Sequence, residues 1–406
     1  MVDTAFIARV GTAELAGLGA GTAAVSAALW VFNFLGIGTQ TEVSKSLGAG
    51  NHRRAGQIVS SAFCIATVLG LILAISLLPL CVSIASAMGT EGKAQQSASD
   101  YLYLRLLGAP AVLLMAAGFG ALRGLQKPSV PLRIALLVNI INLILDPLLI
   151  FGFGPIPSQG VSGAALASTV IQWLGAFATL VATRQNLVLT ATPSLSHIRA
   201  LLKIGFDVTA RSGALLLFLL LATRAANRLG DETGAAHQAI RSIWMFSAFL
   251  LDAYSHAAQA LIGFFLGRRE IRAARQVVKV ACIWAASTGI VMCGAFILSQ
   301  DTFIWLFVSK EAENAFRSAW ILASLQMPVN ALVFATDGIH WGSGDYAYLR
   351  TGMLVALMAG GLAIHLFGGI SLLAIWWITG GWTVIRAAFG LFRIWPGSSD
   401  GPLGRP

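Results

Sequence analysis

The stretch IALLVNIINLILDPLLIFGFG, residues 134–154, carries a single charge, Asp146. A helix crosses the hydrocarbon layer with about 20 predominantly apolar residues, and in that layer the backbone must satisfy its own hydrogen bonds. The segment therefore reads as one spanning helix. Further apolar runs, centred near Ala28, Leu71, Leu114, Leu174, Leu217, Phe249, Thr288, Val333, Leu357 and Trp377, have the same character, which makes eleven. The opening MVDTAFIARVG has the pattern of the end of one more helix. The composition agrees: of 406 residues, 57% are apolar and 11% charged, against roughly a quarter charged in soluble domains. A water-soluble fold is excluded, and an all-α membrane protein of about twelve transmembrane helices is expected.

The formal charge of +10 would suggest a nucleic-acid partner in a soluble chain. Here the basic residues have another address. Arg53 and Arg54, Arg123 and Lys127, Arg184 and Arg199, Arg268 to Arg275, and Arg350 fall in or beside every second loop, the distribution expected of cytoplasmic loops. No nucleic-acid partner is expected. Cys64, Cys81, Cys282 and Cys293 lie within apolar runs without paired spacing and read as small core residues.

The chain resembles itself. At an offset of 219, Arg9 falls on Arg228, Gly11 on Gly230, Gln40 on Gln259, Leu47 and Gly48 on Leu266 and Gly267, and Gly70 on Gly289. At 218, Pro110 falls on Pro328, Gly120 on Gly338 and Gly124 on Gly342. That period holds six helices, and an even number gives halves of the same orientation, related by an axis along the membrane normal. The expected organisation is an N-terminal lobe over 1–184 (helices one to six, helix one incomplete), a cytoplasmic connection over 185–198, a C-terminal lobe over 199–394, and a disordered tail over 395–406. Two such lobes facing a cleft can open alternately to either side. Because the seventh helix begins near Lys203, the counterpart start of helix one is expected upstream of Met1, and a truncated inactive copy is one alternative.

Charge inside a span is costly and marks function or pairing. Asp3, Asp146, Asp252 and Asp337 are such residues. Asn142 lies one turn before Asp146, so the two share a face, as ligands of a small cation or shared proton would; the other reading is that Asp146 merely precedes a kink at Pro147. Asp252 and His256 have i,i+4 spacing and suit either a proton relay or a packing pair. Asp337 precedes Gly338, a position that suits either helix packing or a bend. Asp207 and Arg211 are expected to pair with each other, and Arg105 and Arg241 to pair with buried acids or to reach outward. No Walker loop, HExxH or CxxC occurs, and the GSSDG at 397–401 stands in the Pro- and Gly-rich tail rather than on a strand-to-helix turn, so an enzyme is not expected, and uphill transport would draw on an ion gradient.

Taken in order, VDTAFIARVGTAELAGLG (2–19), LGAGNHRRAG (47–56), NIINLILDPLLIFG (139–152), GVSGAALAS (160–168), DVTARS (207–212), LLDAYSHAAQALIG (250–263) and ATDGIHWGSGDYAYLR (335–350) resemble the multidrug and toxic compound extrusion (MATE) family, in particular its DinF-like branch. The resemblance implies a monomeric secondary antiporter of a bacterial inner membrane, exporting organic cations, drugs or amphipathic metabolites in exchange for H⁺ or Na⁺, with no cofactor and with membrane lipid as its surroundings. It implies an ion-coupling cluster of Asp3, Asn142, Asp146 and Ser168, with Na⁺ held at Asp3, Asn142 and Asp146. Ser168 stands where a Thr is common. Asp252, His256, Gln259 and Asp337 form the candidate polar site of the second lobe. A lipid-linked precursor flippase of the same superfamily is the alternative transport activity.

Overall fold

The computed structural model describes residues 2–155, 157–190, 193–394 and 401–404. The fold is helical: α1 (Val2–Ile7), α2 (Thr12–Gly48), α3 (His52–Ala87), α4 (Gly92–Leu107 and Ala109–Gly124), α5 (Ser129–Ile150), α6 (Gly160–Asn186), α7 (Leu195–Arg228), α8 (Asp231–Gly267), α9 (Ile271–Leu298), α10 (Glu313–Leu325 and Met327–Ser343), α11 (Tyr346–Phe367) and α12 (Leu372–Ile394). A short helix, Gln300–Phe307, follows α9. Among the described residues, nine helices are long and apolar enough to cross a membrane, and the bent pairs α4 and α10 bring the number to eleven if each is one span.

Both bent spans break by 49° just before a proline, Pro110 in α4 and Pro328 in α10. Each proline stands in the first turn of the second segment, where its missing N–H and fixed φ do least harm. The expected bend at Gly338 is not there. The helix runs unbroken through it to Ser343, and α5 likewise runs through Pro147.

The chain divides into two compact units, residues 1–205 and 206–406. The division falls inside α7 rather than in the expected connection at 185–198. The reason is packing: a Cβ at Gly38 would lie 3.1 Å from Leu201 Cδ2, and one at Gly205 would lie 3.0 Å from the Phe34 ring, so the first turns of α7 belong with α2.

Within each unit the helices meet at small residues, which let backbones approach closely where no hydrophobic force between helices is available. In the first, Gly70 of α3 sits on Pro110, Gly120 on Gly36, and Gly124 on Gln40. In the second, Gly289 of α9 sits on Pro328, Gly338 on Ser255, and Gly342 on Gln259. These are the same contacts moved by the repeat offset. The second unit also buries a large apolar cluster including Phe218, Trp320, Trp376 and Trp382, with Phe218 and Trp382 stacked at 4.3 Å. Part of the expected disordered tail is ordered. Residues 401–404 form a turn whose Leu403 packs with Ala258, Ile262 and Ile339, and Arg275 donates to its carbonyl at 2.8 Å; 395–400 and 405–406 lie outside the described residues.

Candidate functional site

Helix α5 explains how an acid becomes buried in an apolar span. Leu143 and Ile144 turn outward, 51% and 57% exposed, while Asp146 points inward at 0%. Asn142, one turn earlier, lies on the same inward face and donates through Nδ2 to Asp146 Oδ1 at 2.7 Å. Asp3 of α1 lies near enough for its carboxyl to interact with that of Asp146, and Ser168 of α6 donates to Asp3 Oδ2 at 3.4 Å. The second oxygen of Asp146 is buried without a donor. Ile7, Ile150, Val161 and Ala165 pack beside the group, and Phe6 meets Phe151 edge-on at 6.1 Å. The four residues expected to assemble, from three helices and up to 165 positions apart in sequence, are together.

Two carboxyl groups near one another, one of them sealed from water, repel when charged, and a proton or small cation between them relieves that repulsion. Their oxygens, with the serine hydroxyl and the amide oxygen of Asn142 if that group turned over, make a hard oxygen set suited to a small cation. Among the described residues, no group of three or more His, Cys, Asp or Glu could hold a metal ion.

The second expected site does not assemble. Asp252 and His256 do meet, Nε2 to Oδ2 at 3.4 Å, but their side chains are 41% and 28% exposed, on the outer side of α8. Gln259 is buried in the seam with Gly342, as its counterpart Gln40 is with Gly124, where Gln40 also accepts from Arg123 at 2.7 Å. Asp337 faces elsewhere, in an ion pair with Arg211 and 3.4 Å from Arg386.

That pairing overturns the local expectation for Asp207 and Arg211. Asp207 bonds Arg350 of α11 instead. An i,i+4 spacing permits contact, but a buried carboxylate on another helix competes with it, and Arg211 pairs across the helices with Asp337. Among the described residues, Arg105 and Arg241 find no acid: Arg105 donates to Gln172 at 2.6 Å and Arg241 to Thr223 at 2.9 Å. Arg386 escaped the reading of the sequence. Its signal is a lone charge in GWTVIRAAFG, 381–390, a position that intramembrane cost marks as paired or functional. All four cysteines are free.

Comparison with known proteins agrees with this architecture. The family model MatE matches residues 1–148 and 214–366, covering both halves. The chain is 29% identical to Protein DETOXIFICATION 44, chloroplastic, of Arabidopsis thaliana, over 98% of this chain and 75% of that protein. It is 25% identical to DNA damage-inducible protein F of Escherichia coli (strain K12), over 94% and 89%. The crystal structure of MATE in the straight conformation superposes with a TM-score of 0.87 at 19% identity, over 97% of this chain and 91% of that one. The matched family model and the shared fold establish an integral, multi-pass membrane protein and not an enzyme: the chain belongs to the MatE family of multidrug and toxic compound efflux transporters.

Proposed function

We propose that the chain is a secondary antiporter that exports amphipathic organic compounds, including organic cations, against inward movement of H⁺ or Na⁺, coupled at Asp3, Asn142, Asp146 and Ser168. The observation that carries this reading is a fully buried Asp146, bonded by Asn142, with the carboxyl of Asp3 nearby and itself bonded by Ser168. The pair holds one small cation more easily than none, so occupancy changes the charge of a sealed site. An ion that binds one conformation better than another shifts the population toward it by that difference in affinity. A shared proton asks least of the arrangement, because Asn142 already donates to Asp146; Na⁺ requires its amide to turn over. A bacterial inner membrane as the location belongs to the same proposal, supported by the similarity to the Escherichia coli protein.

The test is ethidium transport by the purified chain in proteoliposomes under an imposed pH gradient, an imposed Na⁺ gradient, or neither. One gradient should drive transport, and Asp146→Asn, which keeps the shape and removes the charge, should lose the driven component. Gradient-driven rates equal to the parent in Asp146→Asn refute the coupling assignment.

A further inference from the structure

The second unit seals three charges in one place. Asp337 of α10, Arg211 of α7 and Arg386 of α12 are each at most 8% exposed. Both guanidinium groups reach the same carboxylate oxygen, Asp337 Oδ2, Arg211 in an ion pair and Arg386 at 3.4 Å. Two cations against one anion leave a positive charge without a counter-charge.

Among the described residues, nothing near it supplies one. The neighbouring acids are already matched with bases: Asp207 with Arg350, and Asp345 with Arg393 at 3.0 Å. His340 turns Nε2 to the Gly390 carbonyl at 2.9 Å. Trp341 lies 5.3 Å from the Arg211 guanidinium and Trp382 4.6 Å from that of Arg386, but attraction to an aromatic face is smaller than what a guanidinium loses on leaving water. An arginine does not escape by releasing its proton.

A cavity adjoins the triad, walled by Arg211, Asp337 and Arg386 with Tyr348, Gly352 and Phe389, and it has room for about one water molecule or monatomic ion. Tyr348 donates its hydroxyl to the Phe389 carbonyl at 2.8 Å, so among these walls the guanidinium groups are the charged donors. We propose that this cavity binds a chloride ion as the missing counter-charge of Arg211 and Arg386. Its size excludes phosphate, sulfate and carboxylic acids. The site stands on residues of the second unit alone and is independent of the coupling cluster on α1, α5 and α6.

The test is thermal unfolding of the purified full chain at constant ionic strength, with sodium chloride replaced stepwise by sodium gluconate, whose anion is too large for the cavity. The melting temperature should rise with chloride and saturate as for one site, and bromide should substitute. Arg386→Gln, which leaves one base against one acid, should abolish the dependence. Asp337→Asn, which leaves two bases and no acid, should move the midpoint to about tenfold lower chloride. Because either variant can fail to fold, crystals of the parent grown in bromide give a second readout: an anomalous peak between the two guanidinium groups is expected. Identical melting curves in chloride and gluconate, or no bromide at that position, overturn the proposal and leave a water molecule there.

Discussion

Replacing Gly338 with alanine tests whether the seam between α8 and α10 is set by backbone contact. A Cβ at that position would lie 2.5 Å from Ser255 Cα and 2.6 Å from its carbonyl carbon, where carbon atoms rest about 3.5–4.0 Å apart. The shortfall is about 1 Å. The obstructing atoms are backbone, so no rotamer change relieves it, and the helices must separate along a seam where Gly342 also approaches Gln259. Overpacking of this kind costs about 1–3 kcal/mol, and a rigid obstacle places it near the upper end. Alanine returns about 1 kcal/mol through helix propensity, leaving a net loss of about 2 kcal/mol. Gly294→Ala in α9 is the control, because nothing lies within 4 Å of the added carbon; it gains up to about 1 kcal/mol. Thermal unfolding of both variants and the parent in one detergent separates the outcomes. If Gly338→Ala melts at or above Gly294→Ala, the close approach does not set the seam and the argument fails.

The repeat extends that result: Gly120→Ala, whose Cβ would lie 3.0 Å from Gly36 Cα, should lower the melting temperature in the same direction. Asp252→Asn should leave both melting temperature and driven transport within error, about 0.5 kcal/mol, because its pair with His256 is half-exposed. A double-mutant cycle on Asp207→Asn and Arg350→Gln should return a coupling of about 1 kcal/mol, while the cycle on Asp207→Asn and Arg211→Gln returns less than about 0.5; the reverse order would restore the local pairing. Ser168→Ala removes a donor to Asp3 and should slow driven transport about two- to fivefold, with Ser168→Thr close to the parent. Equal rates in all three would remove Ser168 from the cluster.

The apolar runs and the internal repeat were legible because both rest on many residues. Membrane crossing depends on summed hydropathy, and the register of Gly70 with Gly289 and of Pro110 with Pro328 was recoverable because glycine and proline serve the backbone, whereas the seating of each glycine on its proline is a product of packing. The cluster of Asp3, Asn142, Asp146 and Ser168 was legible for a mixed reason. The i,i+4 step joins Asn142 to Asp146, but α1 and α6 were brought in by family likeness. The same step misled at Asp207 and Arg211, where the partners Arg350 and Asp337 lie 143 and 126 residues away. Local spacing states which contacts are possible. Which one forms depends on the partners that other helices present, a property of the packed helices that no short window of sequence contains. Arg386 was masked by the hydropathy that identified its own helix.

The paired prolines carry a historical implication. A trait present at matched register in both copies of a duplicated gene was present in the single-length ancestor, so the 49° bends before Pro110 and Pro328 predate the fusion of the halves. The arginine triad belongs to one half alone, since Phe119 occupies the register that Asp337 holds. The halves share a hinge and differ in the charges they bury.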